Sequence, residues 1–226
     1  GANEWRTGSV WPPAAESRSL HLAGTAMAGT AAGTLSWTAP QAASRSVFES
    51  DAARPLSDPH NGEFGALDFR ALSQEKSAVV FETAPLTEDL DVLGPIGASI
   101  HVSVDRPDTD LWLKILDVHP DGTAYNVMSA GADVVRASYR SRTATRELLE
   151  PGKVYRLDFQ TLMTGNRFRQ GHRLRVVLMA AFAPNMSWNL HTGQLEFDTA
   201  TTARARITIH AGGQHPSRLV LPVVRP

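Results

Sequence analysis

Polar and apolar residues alternate with a period of two over much of the chain. In residues 99–104, Ile100, Val102 and Val104 fall on one face, and the intervening residues are polar. The same alternation recurs in Lys153–Gln160. Successive side chains of a strand point to opposite faces, so the pattern predicts β-strands with one face in a core. Such half-polar strands are typical of antiparallel sheets.

Further segments with strand character are separated by turn-forming residues such as Pro120–Gly122 and Pro151–Gly152. The best helical candidate, Ala130–Tyr139, is short. About ten strands at this spacing predict an all-β, mostly antiparallel jelly-roll β-sandwich. The predicted strands are Ser17–Leu22, Ser44–Glu49, Ala78–Thr83, 99–104, Asp110–Val118, Ala124–Met128, Lys153–Gln160, His172–Leu178, Arg204–His210 and Leu219–Val224.

The composition narrows the functional class. The chain has 226 residues, of which 42% are hydrophobic, and its net charge is −1. This length suits one large β domain, and the balance of apolar to charged residues excludes a disordered chain. The sequence contains no cysteine, which excludes disulfide scaffolds and thiolate metal sites. A near-zero net charge argues against a nucleic-acid partner. We therefore predict a single domain, 1–226.

The sequence shows no pattern of membrane insertion or targeting. Its longest apolar run is Val176–Ala183, far shorter than the roughly 20 residues needed to cross a bilayer. We predict no membrane partner and a cytoplasmic location. Only three of the 22 basic residues are lysines, a bias typical of GC-rich bacterial genomes.

The usual catalytic motifs are missing from the chain. A Gly-x-Ser-x-Gly pentapeptide, which places a nucleophilic serine on a sharp turn, does not occur. Phosphate-binding and dinucleotide-binding glycine motifs and the His-Glu-x-x-His zinc motif are also missing. We predict no catalytic residue, no metal ligand and no cofactor in this chain.

Three acidic residues cluster in the turn Asp105–Asp110. Carboxylates are the ligands that calcium prefers, so a structural calcium site is one interpretation. The favoured interpretation is a solvated turn in which Asp110 begins the next strand. Burying a carboxylate without a partner is costly. We therefore predict that Asp110 pairs with an arginine or with loop backbone.

The histidines are scattered and show no pair at helical ligand spacing, so we interpret them as polar loop or strand-end residues. His172 opens a strand directly after Gly171. We predict that its imidazole is buried and ties loop backbone through its ring nitrogens.

Five tryptophans, Trp5, Trp11, Trp37, Trp112 and Trp188, offer two interpretations. They could form a sugar-stacking platform on the sandwich. Large aromatic residues are more often part of a core or an interface, and we favour packing.

The segment Asp51–Gly65 is rich in Pro, Gly and Asp. Loops longer than about 12–15 residues are uncommon and often functional. This segment is therefore a candidate for a binding loop.

Several segments of the sequence, taken together with their order and spacing, resemble those of a known family. They are Leu86–Pro95 followed by Asp108–Leu111, then Leu116–Gly122, Gly171–Arg175, Pro184 and Asn189–Gly193, and finally His215–Pro222. Together they resemble the C-terminal jelly-roll domain of the X-Pro dipeptidyl-peptidase and cocaine-esterase (CocE/NonD) hydrolases.

The resemblance implies a parent protein with an α/β-hydrolase domain, a helical cap and this galactose-binding-like jelly roll. It places the Ser-Asp-His triad in the hydrolase domain, so the chain is expected to be the non-catalytic part of an enzyme acting on ester, amide or peptide bonds. Residues 1–16 would lead in from the hydrolase domain. The implied partners are that hydrolase domain and, in an oligomer, further copies of the chain. A carbohydrate-binding or oligomerisation module of the same fold is the alternative.

The resemblance also implies that a loop of this domain approaches the substrate cleft. By position this is Asp51–Phe64, with His60, Asn61 and Phe64 as the candidate cleft residues. Separately, we predict a structural polar cluster. Its members are Asp108, Asp110, His172, Arg173 and Asn189.

Overall fold

Twelve β-strands carry the fold of the computed structural model, which describes residue 4 and residues 7–127, 131–184 and 186–224. In these ranges the helical elements are two short 3-10 turns, Arg70–Gln74 and Ala137–Tyr139, and no helix has the length and hydropathy of a membrane span. The strands are β1 (Glu16–Ala23), β2 (Gly33–Ser36), β3 (Ser44–Asp51), β4 (Ala78–Glu82), β5 (Leu90–Val104), β6 (Asp110–Val118), β7 (Ala124–Asn126), β8 (Asp133–Arg136), β9 (Tyr155–Phe168), β10 (Arg173–Met179), β11 (Arg204–Ala211) and β12 (Arg218–Val224).

The strands form one continuous ladder in the order β3-β11-β5-β12-β1-β2-β4-β10-β6-β7, with β9 added to β5 and β8 added to β6. Every pairing is antiparallel except the short parallel contact between β2 and β4. The long strand β5 pairs with β9 along its length, and also with β12 and then β11. The sheet thus folds over into a sandwich.

The main core lies between the two layers. Ile100 and Val102 of β5 and Leu113 and Ile115 of β6 are completely buried in one apolar cluster. Fully burying an aliphatic side chain of this size contributes roughly 1.5–3 kcal/mol. The alternating residues that predicted the strands therefore supply the core, and the all-β prediction is confirmed.

A second apolar cluster covers the outer face of β6 and β10. Trp112 and Leu116 of β6 and Val177 and Met179 of β10 pack there against Phe69, which lies in the connection between β3 and β4. Both faces of β6 are consequently buried. This connection positions the candidate functional site.

The helical interpretation of Ala130–Tyr139 is wrong in the part that the structure describes. Residues Asp133–Arg136 form β8, which pairs with Asp110–Leu113, and a single 3-10 turn follows. Val134 and Val135 have the β-branched side chains that strands favour. The edge of β6 offers them backbone hydrogen bonds that a short helix would forgo. Residue 130 lies outside the described ranges.

Candidate functional site

The connection between β3 and β4 crosses the outer face of β6 and is fixed at both ends. Asp58 N–H donates to the Ala183 carbonyl at 2.7 Å, and Ala183 N–H donates to the Leu56 carbonyl at 2.8 Å. Further along, Phe69 N–H donates to the Ala124 carbonyl at 2.8 Å. The residues between these anchors form a wall over the sheet.

His60 is held firmly in this wall. Its backbone N–H donates to Asp58 Oδ1 at 2.9 Å, and its ring packs edge-on against Phe69 at 4.9 Å between centroids. Its Nε2 donates to the Asp68 carbonyl at 2.9 Å, because a carbonyl oxygen can only accept. This bond, helped by the Glu63 carboxylate at 3.3 Å, raises the pKa of His60.

A pocket of about 730 Å³ opens between the wall and β6. Its floor includes Trp112, Lys114 and Phe182, and its sides are the segments 58–65 and 131–134. Small-molecule sites usually occupy roughly 300–1,000 Å³. The pocket therefore has the size of a site for a small ligand or for an inserted side chain.

Lys114 brings a charged group to the pocket floor. The side chain lies in the middle of the buried strand β6 and is 1% exposed. Its Nζ donates to the Gly131 carbonyl at 2.7 Å and lies 3.7 Å from the centre of the Phe69 ring. Burial lowers the pKa of Lys114 to about 8, while the Asp58 carboxylate opposes the shift. Lys114 is not among the predicted site residues, although a lysine inside an apolar strand is a signal that the sequence offers.

Of the predicted cleft residues, His60 and Phe64 line the pocket. Asn61 is an exposed residue of the same loop, and its N–H reaches the Asp58 carbonyl at 3.4 Å. Phe64 is 96% exposed, and Met186 on the rim is 55% exposed. The rim therefore presents apolar side chains to its surroundings.

Asp108 is the centre of a polar network away from the pocket. It is 1% exposed, and its Oδ1 accepts from the N–H groups of Thr109 at 2.9 Å and Ser138 at 3.0 Å. Its Oδ2 accepts from Ser138 Oγ at 2.8 Å and Arg146 Nη2 at 3.1 Å. The carboxylate thereby ties the turn before β6 to the 3-10 turn after β8.

Asp110 is also buried, and it forms a two-point ion pair with Arg136 of β8. Asn189 Nδ2 donates to the same carboxylate at 3.3 Å. On its other side, Arg136 Nη1 lies 2.9 Å from Glu196. Burial alone would lower the pKa of Arg136 and raise the pKa of Glu196. The hydrogen bonds between the charged groups outweigh it, so the pKa of Arg136 is raised and the pKa of Glu196 is lowered to about 2. The predicted pairing of Asp110 with an arginine is confirmed.

The interpretation of Asp105–Asp110 as a solvated turn is wrong for two of its acids. Asp108 and Asp110 are buried, and all four of their carboxylate oxygens accept hydrogen bonds. Asp105 has a separate partner, the Arg206 N–H at 2.8 Å. Hydrogen bonds from N–H and O–H donors offset the desolvation of the Asp108 and Asp110 carboxylates. The same hydrogen bonds occupy the oxygens that a calcium ion would need as ligands.

The five residues of the predicted polar cluster lie in two places. Asp108, Asp110 and Asn189 lie around the start of β6. His172 and Arg173 lie at the opposite end of the β6–β10 pair, since Arg173 is in register with Val118. His172 Nδ1 is 2.9 Å from Asp117 Oδ1, so the predicted bond from its ring to loop backbone is replaced by one to a carboxylate.

The tryptophans have different surroundings. Trp112 is 4% exposed, which removes it from any sugar-stacking surface. Arg18 lies over the Trp37 ring at 4.3 Å, and Trp188 donates to the Ala52 carbonyl at 3.1 Å. Trp11 is 59% exposed, and Trp5 lies outside the described residues. Packing is thus the role of Trp112, whereas Trp188 is 37% exposed, so only one of these two tryptophans is removed from the sugar-binding alternative.

A family model that describes the X-Pro dipeptidyl-peptidase C-terminal non-catalytic domain matches residues 1–220. Among curated proteins, cocaine esterase of Rhodococcus sp. (strain MB1 Bresler) is 32% identical over 238 residues, covering 100% of this chain and 41% of the esterase.

Two solved structures share the fold. An aminopeptidase from a marine sediment Thaumarchaeota archaeon superposes with a TM-score of 0.87 at 24% identity, covering 100% of this chain and 39% of the aminopeptidase. An α-amino acid ester hydrolase superposes with a TM-score of 0.84 at 25% identity, covering 99% of this chain and 40% of the hydrolase. This chain spans 39–41% of the length of these three relatives.

Proposed function

The chain belongs to the family of X-Pro dipeptidyl-peptidase C-terminal non-catalytic domains, and from this premise we propose how it serves a CocE/NonD-type hydrolase. It packs on the α/β-hydrolase domain of the same protein and forms one wall of the substrate cleft. The contacting wall is the loop that carries His60, Asn61 and Phe64.

The exposed ring of Phe64 carries this proposal. Phe64 is 96% exposed and Met186 is 55% exposed, and both line the same pocket, so its rim presents apolar side chains to the surroundings. Exposed apolar patches around a concave surface commonly mark interaction or ligand sites. The anchoring of His60 to Asp58 and Asp68 holds the backbone leading to Phe64 in place.

The chemistry of the proposed protein resides in the hydrolase domain. There a serine would attack the acyl carbonyl, a histidine would move the proton, and backbone N–H groups would hold the oxyanion. The cocaine esterase and ester hydrolase relatives support ester bonds as the substrate class, and the dipeptidyl-peptidase name of the family supports peptide bonds as the alternative. The contribution of this chain is packing and the shape of the acyl site.

Two observations on the protein test the assignment to a serine hydrolase. The coding sequence upstream of Gly1 should encode Gly-x-Ser-x-Gly roughly 200 or more residues earlier, given usual domain sizes. The 226-residue chain alone should not hydrolyse p-nitrophenyl esters. Turnover by the chain alone that a serine-directed phosphonate abolishes would refute the non-catalytic assignment.

A matched pair of variants tests the cleft wall in the full-length protein. Phe64→Ser should change kcat/KM for esters with large acyl groups more than for acetate esters, because the wall shapes the acyl site. Phe197→Ser is the control, since Phe197 is also largely exposed (79%) and does not line the pocket. If the two variants change kcat/KM equally for all acyl groups, Phe64 does not form part of the substrate cleft.

Oligomerisation is a separate prediction for the same protein. Light scattering of the full-length protein measures it directly. If the full-length protein is strictly monomeric, the prediction of a homo-oligomer is wrong.

A further inference from the structure

Three metal-ligating side chains converge at the end of the β6–β10 pair, far along the strand from the start of β6. Asp117 is the second-last residue of β6, and His119 follows directly after the end of the strand. The ladder pairs Val118 with Arg173, and the next position therefore sets His119 opposite His172. The turn after His119 closes through a 2.8 Å bond from its N–H to the Thr123 carbonyl.

The ligand atoms of these three residues all lie within 4.8 Å of one another. His172 Nδ1 is 2.9 Å from Asp117 Oδ1, and His119 Nε2 is 3.8 Å from Asp117 Oδ2. The His119 and His172 rings are tilted by 38° to each other, with their centroids 4.2 Å apart. Tyr125 packs edge-on against His119 at 5.0 Å and backs the cluster from β7.

One carboxylate oxygen in the cluster lacks a hydrogen bond. Asp117 is 1% exposed, and its buried Oδ2 has no hydrogen-bond partner within the described ranges. Leaving a buried charged oxygen unsatisfied is costly, so such an oxygen calls for a cation.

We propose that Asp117, His119 and His172 bind a divalent transition-metal ion, and that Zn²⁺ is the ion whose ligand preference these side chains fit best. Two imidazole nitrogens and one carboxylate oxygen are borderline donors that suit zinc, whereas calcium and magnesium favour all-oxygen sets. The His119 side chain is 30% exposed, so the site opens to water, which supplies the fourth ligand.

Binding needs only small adjustments of the side chains. Zinc–nitrogen and zinc–oxygen bonds of roughly 2.0–2.2 Å place neighbouring ligand atoms about 3.3–3.5 Å apart in a tetrahedral site. Rotation of the partly exposed His119 ring closes the wider gaps. His172 presents Nδ1 when its ring proton moves to Nε2, which leaves the imidazole neutral. The ion would tie the turn after β6 to the start of β10.

The test uses the untagged 226-residue chain, freed of metal with EDTA and titrated with Zn²⁺ in a calorimeter. One ion should bind per chain. His119→Phe keeps a ring against Tyr125 but removes the ligand atom, and it should weaken binding at least about tenfold. His215→Ala is the control, because His215 lies in a different histidine cluster with His101 and His210. It should leave the affinity unchanged.

Co²⁺ provides a second measurement that reports the ligands directly. The wild-type chain should give the intense visible absorption of a four- or five-coordinate site, and His119→Phe and Asp117→Asn should lose it. Near-ultraviolet circular dichroism checks that each variant is folded; if Asp117→Asn is not, His119→Phe decides. Absence of saturable Zn²⁺ binding, equal binding by His119→Phe, or loss of binding in His215→Ala would each overturn the proposal.

Discussion

Arg136 donates two hydrogen bonds to the carboxylate of Asp110, from Nε at 2.8 Å and from Nη2 at 3.1 Å. Asp110 is the first residue of β6 and Arg136 is the last residue of β8. The ion pair therefore joins these two neighbouring strands at their ends. Glu196 binds the opposite side of the guanidinium. The pair thereby connects the sheet to the segment before β11.

Arg136→Met should be one of the most destabilising single changes in the domain. It leaves the Asp110 carboxylate, which is 3% exposed, without its cation. Removing one partner of a buried ion pair costs about 3–5 kcal/mol of unfolding free energy. Urea denaturation followed by circular dichroism measures the loss. Lys153→Met is the control because the Lys153–Glu150 pair is exposed, and its midpoint should match the wild type. Equal midpoints for the two variants would contradict the prediction.

The alternation of residues predicted most of the sheet because the pattern is local. Predicted strand Asp110–Val118 coincides with β6, and Lys153–Gln160 begins two residues before β9. The short strands β2 and β8 were missed, since four residues carry too little periodicity to separate a strand from a loop. Their pairing is decided by neighbours that lie far away in the sequence.

The candidate sites were less predictable because their partners come from distant segments. The resemblance to a known family pointed to the loop with His60 and Phe64, but nothing local indicated that Lys114 lies beneath it. His172 and Asp117 are 55 positions apart, and only the β6–β10 register brings them together. Sequence spacing therefore favoured treating the histidines as isolated, and the sheet geometry changed that interpretation.

Lys114 should titrate well below Lys153. Burial lowers its pKa to about 8, whereas hydrogen bonding to Glu150 raises the pKa of Lys153. The chain has only three lysines, so ¹³C-lysine labelling gives a spectrum that can be followed by NMR from pH 6 to 11. Lys114→Met assigns the signal by removing it. A titration of the Lys114 signal together with that of Lys153 would show that the pocket floor is hydrated.

The domain should lose stability as the pH falls from about 6.5 to 4, and His191 should account for part of the loss. Burial lowers the pKa of His191 to about 4, against about 6.5 in an unfolded chain. The unfolded state therefore binds more protons in this window. Stability is complete above pH 6.5 and is lost toward pH 4, with a slope of up to about 1.4 kcal/mol per pH unit for one proton.

His191→Asn tests this contribution, because asparagine tolerates the left-handed φ of 62° at this position. Urea midpoints at pH 7 and pH 5 should differ less in the variant than in the wild type. His60→Asn is the control, and it should change the pH dependence in the opposite direction. The pKa of His60 is raised, so its stabilisation is present at acid pH and its removal should steepen the loss. An unchanged pH dependence in His191→Asn would show that the folded-state pKa of His191 is not lowered.

Gly212 should be irreplaceable at the turn that follows β11. Its φ is +69°, and a Cβ atom there would lie 2.1 Å from the Ala42 carbonyl oxygen. That carbonyl belongs to the segment leading into β3, whose register with β11 (Ser44 opposite Ala211) leaves it little freedom to move. Gly122 has a similar φ of +86° with nothing within 4 Å, so Gly122→Ala measures the backbone cost alone, roughly 1–2 kcal/mol. Gly212→Ala should lower the unfolding free energy by at least about 2 kcal/mol more than this control. Equal urea midpoints for the two variants would show that the β3 segment yields to the added methyl group.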